Sequence, residues 1–257
     1  MSALGALNVS WDDIRLLPKD EADHIIAYGE APQQFGELRL PKSAGPYPVV
    51  VFIHGGCWLN KYGVDHVAAV SRALADDGYA VWSPEYRRVG DRGGGWSGTF
   101  EDISKSINFL GELASGYSLR LDRVIVAGHS AGGHLALWFA AQKGHSLLPR
   151  GVISLAGISD LLAYEALANE CASSLPKLLG GTSLEQPDRW TQVDPLRLLP
   201  LPVPSVFIHG ELDDIVPLAQ SQCMGGILHV VEGGGHFDMV LPHSEAFKIM
   251  CQALKDI

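Results

Sequence analysis

Apolar, largely β-branched residues run unbroken from Tyr47–Ile53 (YPVVVFI), the pattern of a strand buried on both faces of a sheet. Behind it Val67, Val70 and Leu74 recur at i, i+3 and i+7, with Gly78 where a helix would end. The alternation continues down the chain. Residues 80–83 read as a strand, and Thr99 with Asp102 reads as a capping box that opens a helix with Ile103, Ile107, Leu110 and Ala114 on one face. Residues 123–127 form a short strand ahead of a small-residue helix over about 131–142. Gly151–Leu155, residues 205–208 and Ile227–Val231 are further strands, and Phe247, Met250, Cys251 and Leu254 make one stripe of a closing helix. Strands separated by helices predict an α/β fold, a mostly parallel sheet with helices on both faces. Residues 24–28 and 36–40 read as an antiparallel edge hairpin.

One stretch breaks the rhythm. From Asp160 to about Pro202 the chain holds short apolar pieces, Gly180-Gly181, and prolines at 176, 187, 195, 200 and 202. This predicts a small helical cap inserted into a single domain, and 257 residues are ample for one such core.

Composition narrows the function classes. With 47% hydrophobic and 19% charged residues the chain is not a disordered one. Nineteen Lys+Arg against twenty-nine Asp+Glu leave a formal charge of -10, which argues against nucleic acid and anionic membranes as partners. The N-terminus (MSALGALNVSWDDIR) has no basic start, so no signal peptide is expected, and no apolar run approaches the roughly 20 residues of a membrane span. Cys57, Cys171, Cys223 and Cys251 lie far apart without a C-x-x-C pair, which predicts reduced thiols in a cytoplasmic protein rather than a zinc cluster or a disulfide scaffold. A monomer or a homodimer is expected.

Gly128-His129-Ser130-Ala131-Gly132 is a G-x-S-x-G pentapeptide entered by an apolar strand (VIVA) and left by a small-residue helix (AGGHLALWFAA). That context is the one a nucleophile elbow needs: a tight turn with glycine-sized neighbours, exposing the serine at the C-terminal edge of the sheet. A serine hydroxyl needs a base and the base an orienting acid, each following at a later strand's end. Asp213 follows residues 205–208, with Glu211 and Asp214 as alternatives for the acid, and His236 follows Ile227–Val231 on Gly233-Gly234-Gly235. Of the ten histidines, His129 and His134 flank the serine on the wrong elements, His209 ends a strand, and His24, His66 and His145 read as surface or structural.

The third motif is His54-Gly55-Gly56-Cys57-Trp58, directly after the first long strand. Acyl transfer creates an oxyanion that fixed N–H donors must meet. Gly56 and Cys57 are the expected donors from this loop, Ala131 is the third, and Gly55 allows the bend. Cys57 as a nucleophile is the alternative; it lacks a suitably placed histidine. Residues 91–96 (DRGGGW) carry no GK[ST], so they predict a mobile loop near the active-site edge rather than a phosphate cradle. No metal motif is present and no cofactor is expected.

With these motifs in order the chain resembles the α/β-hydrolase superfamily over nearly its whole length. H-G-G-C-W, GHSAGGHLA and GGGHFD, with D-x-x-V-P at Asp213, look most like the kynurenine formamidase and small carboxylesterase branch. Cys57 departs from that pattern, where relatives carry glycine or tyrosine. The resemblance implies a cofactor-independent serine hydrolase acting on a small-molecule ester or formamide, with Ser130, Asp213 and His236 as its triad. An arylformamidase with Trp58 or Phe237 in its pocket is the first alternative, and a ligand receptor on a retired hydrolase scaffold is the second.

Overall fold

The computed structural model describes residues 8–144 and 146–257; residues 1–7, on which the reading of the N-terminus partly rests, and His145 lie outside the described residues. Among the described residues eight strands form one sheet in the order β1-β2-β4-β3-β5-β6-β7-β8. They are β1 (His24–Ala27), β2 (Phe35–Arg39), β3 (Tyr47–Ile53), β4 (Ala80–Pro84), β5 (Leu119–His129), β6 (Gly151–Leu155), β7 (Ser205–Gly210) and β8 (Ile227–Val231). The edge hairpin β1–β2 is antiparallel and β2 pairs antiparallel with β4, while the remaining neighbours are all parallel.

Strand β3 shows why a run without alternation marks a central strand. Val49, Val51 and Ile53 enter one hydrophobic cluster, and Val50 and Phe52 enter the other, because successive side chains point to opposite faces. Helices α2 (Ala68–Asp76) and α10 (Glu245–Asp256) cover the second face through Val70, Leu74, Phe247 and Met250. Helices α3 (Gly98–Asn108), α4 (Leu110–Tyr117) and α5 (Ala131–Ala141) cover the first, while a short N-terminal helix α1 (Trp11–Arg15) adds Ile14 to the second.

The capping box expected at Thr99 is not there. Helix α3 starts at Gly98 with Ser97 at the cap position, two residues earlier, the Thr99 hydroxyl donates to the Arg87 carbonyl, and buried Asp102 pairs with Arg87 and Gln34 instead. Tertiary partners outcompeted the local cap.

The proline-rich stretch folds as α6 (Leu161–Glu165), α7 (Glu170–Leu179), α8 (Pro187–Val193) and a 3-10 turn (Pro195–Leu198). Asn169 accepts the Ala172 N–H to start α7, and Gly180, at φ 74°, ends it in the left-handed conformation glycine favours. Helix α9 (Ala219–Gln222) follows β7. The expectation of four reduced cysteines is overturned: Cys57 and Cys171 form a disulfide across 114 residues, leaving Cys223 and Cys251 free. Sequence distance says nothing of this pairing, because it arises when α7 folds back over the loop after β3. Among the described residues no helix is long and apolar enough to cross a membrane.

Candidate active site

Strand β5 delivers Ser130 into the first turn of α5 with φ 56° and ψ -120°, a conformation that L-residues rarely adopt. The turn is pinned where it is tightest: Ser130 N–H donates to the Leu155 carbonyl at 2.9 Å, and His134 N–H to that of Ser130 at 3.1 Å. The flanking glycines are obligatory. A Cβ on Gly128 would stand 2.1 Å from the Gly132 carbonyl oxygen, and one on Gly132 would stand 2.2 Å from that of Ile53.

The His236 ring and the Asp213 carboxylate meet at 2.7 Å, through Nδ1 and Oδ2. Oδ1 of Asp213 accepts the N–H groups of Ile215 and Val216 at 2.9 and 2.8 Å, and His209 Nε2 lies 3.3 Å from Oδ2. Burial alone would raise the Asp213 pKa; the bonds from His209 and His236 outweigh it and hold the carboxyl well below its ordinary value. The alternatives point elsewhere: Asp214 is exposed, and Glu211 is exposed and accepts the Gly233 N–H.

The glycine loop that carries His236 packs against the sheet so closely that a Cβ on Gly210 would lie 2.4 Å from the Gly234 carbonyl oxygen. Buried His129 donates through Nε2 to the His236 carbonyl at 3.0 Å, with the two rings 4.6 Å apart. Burial first, then neighbouring His236, keeps His129 well below a histidine's ordinary pKa, so it stands beside the site as a neutral ring. Sequence reasoning set His129 aside for being on the wrong element; adjacency to Ser130 was the available signal.

In the loop after β3, Gly56, Cys57 and Trp58 all have positive φ, at 103°, 54° and 56°. A buried polar network supports it. His54 Nε2 meets Glu85 Oε1 at 2.8 Å, its Nδ1 meets the Gly55 carbonyl at 2.8 Å, and the Tyr86 hydroxyl donates to the His54 carbonyl at 2.9 Å. Arg88 pairs with Glu85 at 3.1 Å and donates to the Tyr62 carbonyl. Burial would raise Glu85, but His54 and Arg88 lower it below the usual glutamate value. Glu85, Tyr86 and Arg88 escaped the sequence reading, although charges directly after a fully buried strand were a visible sign.

A cavity of about 300 Å³ opens over Ser130 and His236, bounded by Gly56 and Cys57, by Asn169, Glu170 and Cys171 of the cap, and by Trp11, Tyr62, His66 and Phe237. Trp58, expected in the pocket, is instead fully buried against His134, and Trp96 of the 91–96 loop packs on Phe100 with its backbone N–H donating to the Leu178 carbonyl of α7. The glycine-rich 91–96 loop is thus packed beneath the cap rather than at the cavity. Among the described residues no group of three or more His, Cys, Asp or Glu is arranged to hold a metal.

A strained serine at a strand-to-helix turn, lining one cavity with a histidine that an aspartate holds, the last two carried by later strand ends of one mostly parallel sheet, defines an α/β-hydrolase. The chain belongs to the BD-FAE family, a carboxylesterase-like family of that fold, whose model matches residues 37–228. A probable isoprenylcysteine alpha-carbonyl methylesterase, ICMEL1 of Arabidopsis thaliana, is 34% identical over 112 residues, 43% of this chain and 23% of its own length. The uncharacterized peptidase YtmA of Bacillus subtilis is 25% identical over 191 residues, 72% of this chain and 71% of its own length. The chain therefore spans under a quarter of the plant relative. Esterase B from Lactobacillus rhamnosis shares the fold with a TM-score of 0.77 at 23% identity, covering 95% of this chain and 89% of that one. These likenesses carry the esterase-type superfamily and not the narrower formamidase branch.

Proposed function

We propose that this chain hydrolyses small uncharged carboxylic esters through an acyl-enzyme, without a cofactor. Ser130 Oγ attacks the ester carbonyl as His236 Nε2 takes its proton. The tetrahedral intermediate collapses, the C–O bond to the alcohol breaks, and the same proton passes from His236 to the departing oxygen. Water then repeats the sequence on the acyl-enzyme and releases the acid. Asp213 fixes the imidazole tautomer, and the N–H groups of Gly56, Cys57 and Ala131 receive the oxyanion.

The observation that supports this most is the 2.7 Å Asp213–His236 bond beside a cavity that Ser130 also lines. The names of the plant methylesterase and of esterase B point the same way. Cys57 is not a competing nucleophile, since its sulfur is committed to Cys171. That bond also removes the ground for a cytoplasmic location, which rested on reduced thiols. The cavity's carboxylate, Glu170, is paired with Lys61 at 2.6 Å, which supports an uncharged substrate.

The test compares kcat/KM on p-nitrophenyl butyrate and N-formylkynurenine, with Ser130→Ala as the blank. Ester turnover that vanishes in the variant is expected. A formamide preference of about a hundredfold, roughly 2.7 kcal/mol of transition-state discrimination, would replace this reading with the arylformamidase one.

A further inference from the structure

The family match begins at residue 37, yet a residue well before it reaches the cavity. Trp11, the first residue of α1, sets its ring edge-on to Tyr62 at 5.2 Å and to His66 at 5.4 Å, and tilted against Phe237 at 5.7 Å. Its position is tied to the histidine. Asp238 Oδ2, buried, accepts the Val9 N–H at 2.9 Å and the Gly235 N–H at 2.8 Å, so the segment before Trp11 and the loop before His236 hang from one oxygen. A capping box between Ser10 and Asp13 then fixes where α1 starts.

Which part of the substrate this wall meets follows from the chemistry. The imidazole that took the serine proton must return it to the leaving oxygen, so the alcohol portion of an ester lies beside His236. Phe237 is the next residue, its ring 5.1 Å from that of His236, and Trp11 and Tyr62 extend the same aromatic surface outward. The Tyr62 hydroxyl donates to Glu170, already paired with Lys61, so the charge at this end of the cavity is neutralised. Rings of this kind favour a flat aromatic partner in offset or edge-on contact over an aliphatic chain of similar size.

We propose that Trp11, Tyr62 and Phe237 form a subsite for the leaving alcohol, and that the preferred substrates are esters of uncharged, aryl-bearing alcohols. Trp11 is its specificity-determining residue. This rests on the serine esterase reading above.

Benzyl acetate, cyclohexylmethyl acetate and ethyl acetate pass through the same acetyl-enzyme, so differences in kcat/KM report acylation and hence the alcohol. The expected benzyl-to-ethyl ratio is about tenfold or more, with the cyclohexylmethyl ester between them. Trp11→Ala brings the ratio to within about threefold of unity, Trp11→Phe retains most of it, and Leu16→Ala, exposed at the end of the same helix, leaves it unchanged. A wild-type ratio below about twofold, or a ratio that Trp11→Ala does not move, overturns the subsite while the esterase reading stands. Failure to turn over any of the three, and p-nitrophenyl butyrate as well, overturns the esterase reading and this inference with it.

Discussion

Cys57 and Cys171 share a disulfide, which makes the loop beside Ser130 and the cap helix α7 one covalent unit. The bond closes a loop of more than a hundred residues, and chain entropy then raises the unfolded state by an amount that typically reaches about 2–4 kcal/mol of stability. Cys171→Ser, or a reductant, is expected to lower the unfolding free energy by that amount, read as a lower urea midpoint. Cys57→Ala loses the same stability but keeps its backbone N–H, so ester turnover persists in the folded fraction. An unchanged midpoint on reduction contradicts this role.

The four groups around Asp213 divide its work. Oδ1 is held by two backbone N–H groups, and Oδ2 faces the His236 ring with His209 Nε2 3.3 Å away. Asp213→Asn retains the first contact and presents the wrong partner to the second, so kcat is expected to fall by about 10³–10⁴ with little change in fold. Asp214→Asn and Glu211→Gln stay within about threefold of wild type. A comparable loss in either of these would move the acid away from Asp213.

Glu85 is the buried counter-charge for Arg88 and the partner of His54 beneath the loop after β3. Glu85→Leu removes the carboxylate from both, leaving Arg88 with Asp91 and the Tyr62 carbonyl and His54 with the Gly55 carbonyl, and is expected to cost about 3 kcal/mol, read as a lowered denaturant midpoint. Glu85→Gln keeps the shape and one acceptor oxygen, so the fold survives more fully while kcat falls. Wild-type stability and rate in both variants would show that the loop stands without this network.

Two pH effects of opposite sign act on stability. Burial holds His66 down to about 3 and His134 to about 4, so the folded chain refuses protons that the unfolded chain accepts from about pH 6.5 downward. Stability from these residues is therefore lost as pH falls from about 6.5 toward 4. Asp194 runs the other way: burial, then Asp160, raises it from 3.8 to about 6, so its contribution is full below its ordinary value and lost as pH rises through 6. Its neighbour Arg197 offsets part of that cost. Asp194→Asn keeps an acceptor for the Leu196 N–H and is expected to gain on the order of 1 kcal/mol at pH 8 and nothing at pH 4. Tm profiles of the two proteins that stay parallel from pH 4 to 8 contradict this.

Legibility followed range. Strand β3 and the elbow at Ser130 were readable because a continuous apolar run and the glycines at 128 and 132 are local demands of backbone geometry. Order along the chain then led to Asp213 and His236. Contacts made only by folding were not readable: Cys57 with Cys171, His54 with Glu85, and Trp11 with Phe237 are each separated by tens to hundreds of residues. Asp102 shows the same limit inversely, since a plausible local cap gave way to a buried ion pair with Arg87. Trp58 followed the right motif and still turned into the core.

The most direct test is covalent. A serine-directed phosphonate ester incubated with the folded protein should add one adduct, mapped by mass spectrometry to the peptide containing Ser130, with loss of ester turnover in proportion. Ser130→Ala should take up none, and Asp213→Asn should react far more slowly. An adduct on another residue, or full turnover after Ser130 is labelled, would contradict the assignment of Ser130 as the nucleophile.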